Sequence, residues 1–139
     1  MSPRERADRL YDRIMRLAEQ GKQDSVELFA SMAIPAFEAL GTLDADARFD
    51  LGRVAELSRN YDIASAQADT ILRDAPTHLL GLVLAARVAD ARGDRAARAT
   101  FERRLLSAES AELQKPLDEY ARHRADIDAA LNAARARSR

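Results

Sequence analysis

Chemistry in this chain would have to be built from two imidazoles and a scatter of carboxylates. His78 and His123 are the only histidines, and cysteine is absent. Neither histidine has a second histidine or a cysteine at metal-ligand spacing, and a metal site needs converging ligands. His78 follows Pro76-Thr77 at the start of an expected helix, and His123 lies in the charged stretch Arg122-His123-Arg124. Both are therefore expected in helix-terminal or solvated positions. Acid–base work would fall to Asp44 with Asp46, Asp126 with Asp128, or Glu109 with Glu112. Carboxylates titrate usefully only when burial or close pairing shifts them. These lie among arginines on expected exposed faces, which points to solvated salt bridging. The serines at 25, 31, 58, 65, 107 and 110 carry no nucleophile motif, and no Gly-rich phosphate loop is present. The expectation is no catalytic residue, no metal and no cofactor, hence no enzyme.

The arginines admit a second kind of chemistry. Arg4, Arg6, Arg9, Arg13 and Arg16 share the first predicted helix, and the chain closes on Arg-Ala-Arg-Ser-Arg. A nucleic-acid surface would add aromatic or polar base contacts to such a patch. Here Glu5, Asp8 and Asp12 are interleaved, Tyr11 belongs to the apolar stripe, aromatics make up 5% and the net charge is −1. Bulk attraction to nucleic acid or anionic lipid is not expected. The charges of the first sixteen residues leave no room for a secretory h-region, and no run approaches membrane-spanning length. A single cytoplasmic domain over 1–139 is the expectation.

The elements that position these residues are helical. Alanine, leucine and arginine are abundant, and β-branched residues never alternate. Ser2 as N-cap and Pro3 at the first position open a helix from about Pro3 to Gln20, with Ala7, Leu10, Tyr11, Ile14, Leu17 and Ala18 as its stripe. Gly21 caps it. A second helix from Asp24 or Ser25 runs to Leu40 and should kink at Pro35. Asp44 opens a second hairpin that turns at Arg59-Asn60 and ends at Pro76. The third runs from Thr77, turns at Gly93-Asp94 and ends near Ser107; its first helix is apolar nearly all round. In the tail, Leu113, Leu117, Tyr120, Ile127, Leu131 and Ala134 predict one helix over 110–136, bent near Pro116, with Arg124 filling the missing step and the terminal arginines frayed. That helix is either a cap on the last hairpin or a seam joining two chains; its short heptad run and Pro116 favour the cap.

Residues 59–72 echo residues 92–105 at an offset of 33, with Arg59-Asn60-Tyr61-Asp62-Ile63-Ala64 set against Arg92-Gly93-Asp94-Arg95-Ala96-Ala97. Leu51-Gly52, Asn60-Tyr61, Ala64 and Pro76 stand at spacings similar to those of the tetratricopeptide repeat. The match is good over 44–76, partial over 77–107 and weak over 3–41, where Gly21 to Asn60 is 39 residues. The resemblance implies an all-α, antiparallel helix-hairpin solenoid of three hairpins with a C-terminal capping helix over 110–136. It also implies a concave face that binds a peptide or partner protein. The lysine and asparagine clamp of chaperone-tail binders is missing, since Lys22 and Lys115 are the only lysines.

On that reading the chain is a protein-interaction module, an adaptor or scaffold. Leu79, Leu82 and Ala86 would supply the apolar contact for a partner helix, and Phe49, Arg53 and Glu56 would line the neighbouring unit, the last two as a polar rim. The competing expectation is that the chain's own ends fold over these residues. A homodimer through the C-terminal helix or the groove stays open; no nucleic-acid or membrane partner is expected.

Overall fold

The computed structural model describes residues 1–139 as eight helices and no strands: α1 (Pro3–Glu19), α2 (Gln23–Glu38), α3 (Ala45–Leu57), α4 (Tyr61–Asp74), α5 (Leu79–Ala91), α6 (Arg95–Leu113), α7 (Asp118–Arg122) and α8 (Arg124–Arg137). Their starts are built by capping. The Ser2 hydroxyl accepts from the Glu5 N–H, and the Glu5 carboxylate accepts from the Ser2 N–H, satisfying two otherwise free donors. Asp44 and Asp94 cap α3 and α6 through the N–H groups of Ala47 and Ala97. His78 caps α5, its Nδ1 accepting from the Leu80 N–H. The turns use the left-handed region at Gly21, Gly93 and, against its type, Arg59.

Each helix packs on the next through α6, and α1, α3 and α5 also touch one another in succession. The contact is close where side chains are missing. A Cβ on Gly52 would collide with the Leu84 side chain, and one on Gly81 with Ile71 and Leu72. Leu79 to Ala86 and Val88 are all buried, so α5 is the central helix of the core. No helix is long and apolar enough to cross a membrane.

Four sequence expectations change. The echo has a true offset of 34: α5 begins 34 residues after α3, α6 begins 34 after α4, and Arg59 matches Gly93 at the left-handed position. Alanine- and arginine-rich helices produce matches at several registers, whereas the turn conformation admits one. The same turn sets Gly21 against Arg59, 38 residues apart. Second, no helix covers 110–136. Nothing in Ser107-Ala108-Glu109-Ser110 breaks a helix, so α6 continues to Leu113; the break falls at 114–117, beside Pro116. Third, the end is held, since Arg135 and Arg137 bond Glu109 and Glu102 of α6. Finally, α2, with Pro35 inside it as expected, begins at Gln23 and ends at Glu38 rather than Leu40.

Candidate functional site

Two regions concentrate polar chemistry, one on each side of α1. On the first side the α7–α8 segment packs on α6 and α5 and reaches α1 and α3 through His123. Asp46 and Asp50 are one turn apart and so share a face of α3. His123, at the junction of α7 and α8, reaches both: its Nε2 is 2.8 Å from Asp46 Oδ1 and 3.0 Å from Asp50 Oδ1. Its ring packs on Phe49 and meets Tyr11 edge-on. Arg122 donates from Nη1 to Asp46 Oδ1 at 2.8 Å and to Asp50 Oδ2 at 2.7 Å. Asp126 faces His123 Nδ1 at 3.8 Å.

The electrostatics follow from burial set against charge. Burial alone would push His123 down, but the facing Asp126, Asp46 and Asp50 carboxylates outweigh it and hold it at about 10, so the imidazole is a cation at neutral pH. Burial likewise pushes Asp46 and Asp126 up, and each is held below the usual range, mainly by His123, with Arg122 helping at Asp46 and Arg53 at Asp126. Asp50 has no solvent exposure; there burial wins, raising its carboxyl despite His123 and Arg122. Arg122 Nη1 is only 3.0 Å from His123 Nε2. Two cations tolerate that approach because three carboxylates surround them.

Asp46, Asp50 and His123 each present one ligand atom, all within 4.8 Å of one another, an arrangement that could hold a divalent cation. Arg122 Nη1 stands among those atoms and supplies the positive charge from within the chain. The cluster thus works as a lock between α3 and the C-terminal helices. A second lock lies at the start of α5. The Tyr120 hydroxyl accepts from the free Leu79 N–H at 2.9 Å and donates to Glu112 at 2.6 Å.

Each residue of the expected partner face is enclosed here. Phe49, Leu79 and Leu82 are fully buried, and Arg53 and Ala86 nearly so. Arg53 and Glu56 are not a solvated rim: Glu56 accepts from Arg53 and from Arg87, both at 2.7 Å, tying α3 to α5. On this side Tyr120 and His123 of the C-terminal segment reach Leu79 and Phe49, and α8 packs on α5. His123 is at a helix terminus, as expected, though buried, and Asp46, expected on a solvated face, is half-buried; both are parts of the lock. His78 is at the helix start, as its position implied, though buried and 3.0 Å from Glu119. Sequence reasoning passed over Asp50, Arg122 and Tyr120. A signal existed for Asp50, an acid inside the apolar run Phe49-Asp50-Leu51. Another existed in the tail, where His123 is four residues before Ile127 and continues the stripe better than Arg124.

The other side of α1 is open. Arg9, Leu10, Asp12, Arg13 and Arg16 of α1 face Phe29 and Met32 of α2 across a cleft of about 520 Å³. Leu28 and Met32 are the largest exposed apolar side chains apart from Met1, at 62% and 51%. The Arg13 guanidinium stacks 4.3 Å above the Phe29 ring.

No protein-family model matches the chain, and neither a curated protein nor a solved structure matches it.

Proposed function

We propose that the chain is a non-catalytic protein-interaction module that takes its partner in the α1–α2 cleft, while its tetratricopeptide-like inner face is occupied by its own C-terminus. The fold reading rests on the pairing of α1 with α2, α3 with α4 and α5 with α6, and on the 34-residue spacing of the last two pairs, which is the period of that repeat. The C-terminal helices then act as the cap such arrays need.

One observation carries the functional reading: apart from Met1, Leu28 and Met32 are the exposed large apolar side chains, and both stand beside Phe29 at the cleft. Isolated exposed apolar residues are common, but a cluster beside a cleft marks an interface. The non-catalytic part rests on the lock, whose acids and bases are paired with one another around the buried Asp50 and His123. Self-association through the C-terminal stripe is disfavoured because Ile127 and Leu131 are fully committed to the chain's own core.

The test places a photoreactive amino acid at Met32, and in a second variant at Arg103 on the exposed side of α6, in the source cells. A discrete adduct with one other protein at position 32 and none at 103 is the expected result. No adduct at 32, or the same adducts at both positions, overturns the reading.

A further inference from the structure

Resting on that reading of the α1–α2 cleft, we infer that its occupant is an acidic amphipathic helix. Arg9, Arg13 and Arg16 are spaced four and three residues apart, so they form a ridge about 10 Å long on one face of α1. All three are exposed and none forms an ion pair, whereas Arg4, on the same helix, holds Asp8, Asp44 and Asp46. Asp12 is the one carboxylate in the lining. Beside the ridge, Leu10, Met32 and the part of Phe29 that Arg13 leaves uncovered line an apolar strip. A basic ridge parallel to an apolar strip is the complement of a helix with acids along one flank of its apolar face. The Arg13 guanidinium lies over the Phe29 ring, and its N–H groups, which form no ion pair within the chain, can donate to a carboxylate in two-point contact.

Other occupants fit worse. A second copy of this chain, meeting it about a two-fold axis, would set the arginine ridge against itself. Nucleic acid would find the phosphate charge but no free aromatic face, since Arg13 covers Phe29 and Tyr11 is buried.

Three fluorescein-labelled eighteen-residue helical peptides with one apolar stripe provide the test, carrying Glu, Gln or Lys along the flank, with binding read by anisotropy. The Glu peptide should bind about tenfold more tightly than the Gln peptide at low salt, because three rim ion pairs each add modestly. That margin should shrink as salt is raised. The charge-reversed R9E/R13E/R16E chain should instead prefer the Lys peptide. L28D/M32D should weaken all three peptides, and circular dichroism confirms that both variants fold. Equal binding of the Glu and Gln peptides overturns the acidic occupant and leaves the cleft reading standing. Binding of none overturns both. Displacement of the Glu peptide by a DNA duplex or anionic vesicles, at concentrations where neutral vesicles do nothing, also overturns it.

Discussion

The two sides of α1 carry similar ingredients and meet different ends. Each has arginines, carboxylates and an aromatic ring within reach of one another. On the inner side every cation finds an acid: Arg122 holds Asp46 and Asp50, and His123 holds the same pair and faces Asp126. On the outer side three arginines line the cleft with one aspartate and no ion pair. What separates the two sides is whether the chain neutralises its own charges. Charged residues in equal supply across a sequence say little until their pairing is known.

The sharpest way to break this contrast is to put a charge on each side. Leu82→Asp buries a carboxylate in the core with no partner, a change comparable to the whole stability of a domain of this size, roughly 5–15 kcal/mol. Thermal melting should show no cooperative transition. Leu28→Asp, on the outer side, should stay within about 0.5 kcal/mol of the parent. If both variants melt alike, the two sides do not differ as described.

Removing an acid from each side is a milder form of the same contrast. Asp50→Ala leaves Arg122 and His123 short of a partner in a buried place and should cost about 3 kcal/mol in urea unfolding. Asp12→Ala, exposed and unpaired, should leave the urea midpoint unchanged.

The pH dependence sharpens it further. The folded pKa of His123 lies above its unfolded value, so its contribution is complete below about 6.5 and fades as pH rises through about 10. Stability should fall by at most about 1.4 kcal/mol per pH unit in that window, and His123→Gln should flatten the slope. At the acid end Asp46 and Asp126, held low, lose their contribution as pH falls below the usual aspartate range, while Asp50, held high, opposes them. An unchanged alkaline slope in His123→Gln would show that the imidazole is not the charged partner.

The smallest effect concerns the α3–α4 turn that opens the first half of the echo. Arg59 adopts φ 65° where Gly21 and Gly93 adopt 71° and 72°. Arg59→Gly should stabilise by up to about 1 kcal/mol, read as a small rise in melting temperature.

Helix existence was legible because periodic leucines and alanines, with Ser2, Asp44, Gly21 and Gly93 at their ends, are local signals. The inner-side cluster was not, because its members are strangers in sequence. Asp50 reads as one acid in an arginine-rich chain until Arg122 arrives 72 residues later. The tail misled for a related reason. Its apolar spacing fits one helix, and only Pro116 marked where α6 would end and α7 would cross the molecule. The exposure of Leu28 and Met32 was not legible either, since periodicity cannot tell which side of a helix lacks a neighbour.

The distance along the chain between the two halves of the lock bears on how the protein is made. Asp46 and His123 are 77 residues apart, and Leu79 waits 41 residues for Tyr120. During synthesis, which runs from N- to C-terminus, α3 and the almost wholly apolar α5 emerge well before the segment that seals them. A nascent chain stalled before residue 118 presents Phe49, Leu79 and an uncompensated Asp50 to its surroundings, the kind of surface that chaperones bind and proteases clear. Only once α7 and α8 have emerged can Tyr120 and His123 reach Leu79 and Asp46.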